Sequence, residues 1–572
     1  MRDVPHVLSL GQVATGSLPA SLAATTERSC LRERYQKLPV TKQGEGMLDR
    51  NRSISDVLRS TASAMPDQVA IVDEGGTMSY AEFDLAADRL ATALSRSGIR
   101  AGDRVAYLFW NQRELLISYF AIVRLGATVV SLNCRQAAQE LSYQLAAAEC
   151  SAMILDSGLM TLADEAILDS GKELLRIVVG APPSADWLSF DDAVRSGADV
   201  AQFETVDADA EGGIWFTSGT TGRPKGAVVR HRSAVSAAVL TALALSLTSD
   251  VRSLAVAPMF HRGAMENIAL GVILVGGTQY LFKKLTPQRT LQLLERHRIT
   301  MAFIVPTVGW QLLQEPSVES ADLSHLTHWV SASAPLSVSL QRSLEERLRL
   351  RGKIVSWYGI TETVFVSTCH PRLLGERPGS VGLPAPLTQV AVYDDARGML
   401  PANEIGEIIV SGPTSFSYYL NNEKATQEAL VEIEGTTWYR SGDLGMFDDD
   451  GYLTIKDRKK DMIISGGENI YSSEVETVLL SHPTVREGAI IGLPDDKWGE
   501  IVVAVVVEHE HISFDQDGVI KAFAQLASYK RPKRFLVLDA LPRSSIGKVE
   551  RENLRVIVRE HFLGTDRKAL TA

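Results

Sequence analysis

The stretch Thr217-Ser218-Gly219-Thr220-Thr221-Gly222-Arg223-Pro224-Lys225-Gly226 carries three glycines, four hydroxyls and a lysine in ten residues. Backbone N–H groups of a glycine-rich loop, helped by one ammonium, can wrap a phosphate. Apolar Ile214-Trp215-Phe216 precede it and a helical pattern over 231–247 follows, so the spacing predicts strand, loop, helix. No Gly-Lys here is followed by Ser or Thr, which excludes a Walker A loop. On its own such a stretch is a surface turn more often than a nucleotide site.

Other stretches add to it. Tyr358-Gly359-Ile360-Thr361-Glu362 offers a ring that can stack on a base, a hydroxyl and a carboxylate. The carboxylate suits Mg²⁺, a hard cation that takes few protein oxygens beside substrate phosphates. Tyr439-Arg440-Ser441-Gly442-Asp443 places a carboxylate at a tight turn, suited to both hydroxyls of a ribose, and Arg458 can grip the same sugar. Pro542-Arg543-Ser544-Ser545-Ile546-Gly547-Lys548 sets one lysine on a loop near the C-terminus. Such a lysine can bring a point charge to an oxyanion. Singly, each of these is more often structural or solvated.

These residues need a scaffold, and the apolar pattern supplies one from Asn51 onward. A helix opens at Ser53 to Leu58, a strand covers 69–72, and a second helix runs over 79–97. Strands over 104–109, 127–132, 152–155 and 176–179 alternate with helices such as 114–125. The alternation continues through 253–256 and 301–305. Strands separated by helices of ten or more residues predict helix-covered, mostly parallel sheets. Past about Gly379 the strands become short and close-set (390–393, 407–410, 452–455), as in a small β-barrel-like subdomain. Arg458-Lys459-Lys460-Asp461 is a charged break, and a separate α+β pattern follows it. The fold class is therefore α/β, with a large N-terminal domain over 47–457, a break at 458–461 and a small C-terminal domain over 462–572. Residues 1–46 are turn-rich with little apolar periodicity and are expected to be a disordered extension.

Composition limits the alternatives. The chain has 572 residues, enough for about three or four structural units. A net charge of −11 argues against a nucleic-acid binder. Cys30, Cys134, Cys150 and Cys369 are scattered, and they read as reduced thiols of a cytoplasmic protein with neither disulfide nor zinc site. No apolar run reaches the roughly 18 residues of a membrane span.

Together, in this order, the motifs resemble those of the adenylate-forming superfamily of acyl-CoA synthetases, peptide-synthetase adenylation domains and firefly-type luciferases. The resemblance covers the chain from about Asn51 to the C-terminal region and is closest in pattern to AMP-forming acid–CoA ligases. It implies two steps: a carboxylate attacks the α-phosphate of ATP, then a thiol displaces AMP. Thr217, Ser218, Gly219, Thr220, Thr221, Gly222 and Lys225 would hold the β- and γ-phosphates. Ser333-Ala334-Pro335 matches the segment that packs against adenine, and Tyr358, beside Gly359, would stack on its face. Thr361 would touch the α-phosphate, Glu362 would bind Mg²⁺, and Asp443 and Arg458 would hold the ribose. Lys548 resembles the lysine that bridges the carboxylate and α-phosphate during adenylation.

The resemblance also places a hinge at Lys460, about which the small mobile domain rotates between steps. Rotation would withdraw Lys548 and bring in Gly466 and Gly467 against the pantetheine arm of CoA. Tyr529, Arg531 and Lys533 resemble a stretch that meets the CoA nucleotide. A carrier-protein phosphopantetheine is the alternative thiol, and a homodimer is a candidate assembly. The presence of Lys548 and Glu362 argues against a non-catalytic nucleotide sensor.

Pro258-Met259-Phe260-His261 resembles the motif that closes the acyl pocket and reorients between steps. No aspartate occurs over 260–269 to pair with an α-ammonium, which disfavours an amino-acid substrate. Relatives often have a small or apolar residue where Arg262 stands. An arginine there can read a distal acid or hydroxyl on the substrate, or it can pair with Glu266 four residues on. Trp310 and Phe365 are expected to shape the far wall of a bounded pocket for a fatty or aryl acid.

Overall fold

The computed structural model describes residues 52–182, 184, 186–196, 201–217, 224–509, 512–543 and 549–563. The extension expected over 1–46 lies outside them. Two large sheets form the body. One has eight strands in the order Tyr418–Tyr419, Lys225–Arg230, Glu211–Thr217, Thr128–Ser131, Arg104–Leu108, Ala152–Asp156, Leu175–Val179, Trp187–Ser189. From Glu211–Thr217 to Trp187–Ser189 every neighbouring pair is parallel. The other has nine strands, with a parallel centre running from Val69–Asp73 to Ile354–Tyr358 and antiparallel edges.

Covering both faces with helices buries entire strands. Ala152–Asp156 and Ile354–Tyr358 are buried at every position, which explains why they read as continuous apolar runs. Helix Tyr80–Arg96 starts at a capping box in which the Ser79 hydroxyl accepts from the Glu82 N–H and Glu82 accepts from the Ser79 N–H. Beneath that helix, buried Arg124 binds Asp84 and Asp88 at 2.5 and 2.8 Å, pinning helix Arg113–Arg124 to it.

A third sheet of six antiparallel strands spans Gln389–Asp394 to Leu453–Arg458 and is the expected small β subdomain. A fourth, five-stranded sheet begins at Ile463–Ser465, after the charged break. Apolar clusters beneath Ser472–Leu480 and Arg551–Leu563 give it a core of its own. Among the described residues, no helix is long and apolar enough to cross a membrane.

One local expectation is corrected. Thr217 pairs with Lys225 and Phe216 with Gly226 in antiparallel register, so the loop joins two strands, Glu211–Thr217 and Lys225–Arg230. Helix His231–Ala244 starts only after the second strand. The buried run Gly226-Ala227-Val228-Val229 extends the sheet, because its two valines fit a pleated surface better than a helix. Strand Lys225–Arg230 therefore separates the loop from helix His231–Ala244 in the chain.

Candidate active site

A cavity of about 2410 Å³ opens between the large sheets and the fourth sheet. Thr217 and Lys225 reach it from the hairpin strands, and Thr361 and Glu362 reach it from the turn after Ile354–Tyr358. Ser218 to Arg223, which include Gly219, Thr220, Thr221 and Gly222, lie outside the described residues. The turn requires glycine at 359, where a Cβ would stand 2.2 Å from the Val364 carbonyl oxygen.

Glu362 is buried, and its Oε1 accepts from the Tyr419 hydroxyl at 2.6 Å. The Phe416 N–H donates to its carbonyl at 2.7 Å. The Lys225 ammonium lies 5.1 Å from the Tyr419 ring centroid, so one tyrosine links the lysine and the carboxylate. Burial, with Glu362 adding to it, raises the Tyr419 phenol far above its ordinary range and keeps it a donor. Tyr419 was not read from the sequence. Its only signal there is an aromatic pair before Asn421-Asn422, and its role depends on the edge pairing that sets it opposite Ala227. Glu362 fits a metal that takes most of its oxygens from phosphate, because no described residue donates to its Oε2. No cluster of three or more His, Cys, Asp or Glu suited to a metal occurs among the described residues.

Asp443 and Arg458 meet because Thr436–Phe447 and Leu453–Arg458 pair with these two residues directly opposite. Arg458 Nε lies 2.5 Å from Asp443 Oδ1, and the Tyr358 hydroxyl donates to Oδ2 at 2.6 Å. Tyr358 itself is buried at this position. Its ring packs with Val366, Ile408, Val410 and Leu453, while neighbouring Gly359 and Ile360 border the cavity. Ser333 also borders it, held at φ +70°, a strained setting for a non-glycine residue. Ala334 and Pro335 are not part of the wall.

His261 faces the cavity half-buried, with its ring centroid 4.6 Å from that of Phe260. Burial, aided by Arg135, lowers its imidazole to about 4, so the ring is neutral at ordinary pH. Arg262 forms the second of its two expected partnerships, the pair with Glu266. Its Nε meets Glu266 at 2.6 Å, while its Nη1 and Nη2 donate to the carbonyls of Thr361 and Thr414 at 2.7 and 2.9 Å. Trp310 borders the cavity. Phe365 does not, and this is a second correction to the pocket wall. It is buried behind Trp357, with ring centroids 4.0 Å apart, and Trp357 forms the wall.

After the fourth sheet, Arg543 and Val549 flank the segment with Lys548 and border the same cavity. Lys548 itself lies outside the described residues. Gly466 and Gly467, at φ +62° and +84°, are not on the cavity wall. Tyr529 and Lys533 are exposed. The Arg531 guanidinium donates to the carbonyls of Leu526 and Ala524. At the break, Lys459 binds Glu407 at 3.0 Å and its N–H donates to the Gly442 carbonyl. Asp461 instead binds Arg555 of the last helix at 2.6 Å. Lys460 stands between them; its ammonium lies 3.8 Å from exposed Glu552, and its carbonyl accepts from Arg555 at 3.1 Å.

Residues 58–420 match the model described as AMP-binding enzyme, and 474–548 match its C-terminal domain. An indoleacetate–CoA ligase of Aromatoleum aromaticum is 34 % identical over 514 residues, spanning 89 % of this chain and 99 % of that protein. A feruloyl-CoA synthase of an Amycolatopsis species is 35 % identical over 88 % of this chain and 99 % of its own length. Among solved structures, the anthranilate CoA ligase AuaEII with anthranoyl-AMP superposes with a TM-score of 0.84 at 26 % identity, covering 90 % of this chain and 98 % of that one. ATP-bound MatB from Rhodopseudomonas palustris gives a TM-score of 0.81 at 30 % identity, covering 89 % and 100 %. The chain belongs to the AMP-binding enzymes, and the relatives named above are acid–CoA ligases.

Proposed function

We propose that the chain is an AMP-forming acid–CoA ligase whose acid is an aryl monocarboxylate. In the first step a carboxylate oxygen bonds to the α-phosphorus of ATP and pyrophosphate departs. In the second, the CoA sulfur bonds to the acyl carbon, AMP departs, and the thiol proton is released. The observation that carries this reading is the convergence of Lys225, Thr361, Glu362, Ser333 and Arg458 on one cavity also bordered by Arg543 and Val549.

Lys225 faces the phosphates, Thr361 the α-phosphate, and Asp443 with Arg458 the ribose. Glu362 would hold Mg²⁺, which would neutralise phosphate charge when bound. Neutral His261 closes the acid side and excludes water without adding charge. Lys548 would meet the charge that gathers between carboxylate and α-phosphate. Geometry at the break supports a hinge at Lys460, because Lys459 is tied to the third sheet and Asp461 to the last helix. On this account Gly466 and Gly467 serve the thiol step after rotation.

An aryl acid is favoured by the cavity's apolar stretch, in which Ala264, Ile268, Val330 and Val364 accompany Trp357, itself backed by Phe365. Arg262, the cation beside this stretch, is already engaged, which argues against a second carboxylate on the substrate. Relatives named as CoA ligases favour CoA over a carrier-protein arm. ATP–pyrophosphate exchange and thioester formation, measured over aliphatic, aryl and dicarboxylic acids, test the reading. Aryl monoacids should give the highest kcat/KM. Preference for diacids would overturn the substrate class, and absence of exchange with every acid would overturn the ligase.

A further inference from the structure

The most connected buried cation at the site, Arg262, touches none of the groups assigned to ATP, metal or acid through its side chain. Arg262, Glu266 and Trp215 are each at most 2 % exposed. The guanidinium sends Nε to Glu266, Nη1 to the Thr361 carbonyl and Nη2 to the Thr414 carbonyl. Glu266 accepts in turn from the Trp215 indole N–H at 3.0 Å. Trp215 lies two residues before Thr217, on the strand that enters the phosphate loop. Thr414 lies two residues before Phe416, whose N–H holds the Glu362 carbonyl. One planar fork thus joins the strand feeding the phosphate loop, the turn with Thr361 and Glu362, and the segment supporting that turn from behind.

The local backbone makes this possible. Gly263–Ala269 is a π-helix, a rare widened turn that recurs at functional sites. Arg262 and Glu266 form an (i, i+4) pair at its start. A lysine could not reproduce the arrangement, because one ammonium lacks the fixed directions of a guanidinium fork.

We propose that Arg262 is a positioning residue for adenylation. It fixes Thr361 and Glu362 at the distance from the phosphate loop that the α-phosphate and its Mg²⁺ require, without reading the acid. The inference rests on the proposed placement of ATP. A misplacement of about 1 Å in such a constellation costs on the order of 10²-fold in rate, and loss of a supporting partner costs about 10- to 100-fold in metal affinity.

The test compares the wild-type enzyme with Arg262→Met/Glu266→Leu, which leaves no buried charge unpaired, and with Arg262→Lys, which keeps the charge and loses the fork. Four quantities are read: ATP–pyrophosphate exchange, the Mg²⁺ concentration for half-maximal exchange, thioester formation from preformed acyl-adenylate, and acid preference. In the double variant, exchange should fall about 10²-fold and the Mg²⁺ requirement should rise about tenfold. Thioester formation and acid preference should stay near wild type. Arg262→Lys should show the same pattern at smaller amplitude, and it decides alone if the double variant does not fold. Unchanged Mg²⁺ dependence in a folded variant would reduce Arg262 to a structural pair and overturn the proposal. A selective change toward or against diacids would make it a substrate reader and also overturn it. Glu362→Gln is the control: if it too leaves the Mg²⁺ dependence unmoved, the ATP placement fails and takes this inference with it. If only the Arg262 variants leave it unmoved, this inference fails alone.

Discussion

On the side of the large sheets, Arg262, Glu266 and Glu362 are buried, and each is hydrogen-bonded to another segment of the chain. On the side of the fourth sheet, Lys460 meets Glu552 at 3.8 Å with the two side chains 46 % and 64 % exposed. Breaking a buried pair by removing one partner costs about 3–5 kcal/mol, whereas an exposed pair contributes roughly 0–1 kcal/mol. The first region is built to hold distances through the reaction. In the second, the Lys460 side chain is held by one exposed pair, which suits the proposed hinge there.

The sharpest way to break this contrast is to remove a fixed group while keeping its shape. Glu362→Gln keeps an oxygen for Tyr419 but loses the charge. It should lower ATP–pyrophosphate exchange roughly 10²–10³-fold in a folded protein. Exchange within a few-fold of wild type would show that the buried wall does not carry the metal.

A second probe uses pH. His231 is fully buried, and burial lowers its imidazole to about 4 from an ordinary 6.5. Between those values the unfolded chain binds a proton that the folded chain does not, so stability falls as pH drops from 6.5 toward 4. At pH 5 this loss is about 2 kcal/mol. Urea denaturation at pH 7 and pH 5 should show a smaller loss in His231→Gln than in wild type. An equal loss would mean that this histidine is not held neutral.

The smallest effect belongs to the break. Lys460→Ala should alter unfolding free energy by less than about 1 kcal/mol, because its pair is exposed. A larger loss would place Lys460 in a rigid joint and weaken the contrast.

The two regions were not equally legible in the sequence. Parallel strands buried on both faces give unbroken apolar runs, so Arg104–Leu108 and Ala152–Asp156 were placed within one residue. The motifs with Glu362, Asp443 and Arg458 could be named because their residue types carry the chemistry. Long-range pairing could not be read. Tyr419 reaches Glu362 only because its short strand joins the edge beside Lys225–Arg230. Tyr358 meets Asp443, 85 residues away, through its hydroxyl, a contact that no local pattern announces. Arg262 fell between two readings, and only the positions of the Thr361 and Thr414 carbonyls decided between them. Strand Lys225–Arg230 was missed because a short apolar run before a helix reads equally well as part of that helix.

The central claim is that one cavity serves two half-reactions and that the C-terminal unit supplies Lys548 to the first alone. The direct test is Lys548→Ala, assayed in one preparation for ATP–pyrophosphate exchange and for thioester formation from preformed acyl-adenylate and CoA. The account predicts that exchange falls roughly 10²–10³-fold while thioester formation stays near wild type. Equal loss of both half-reactions in the folded variant would contradict it.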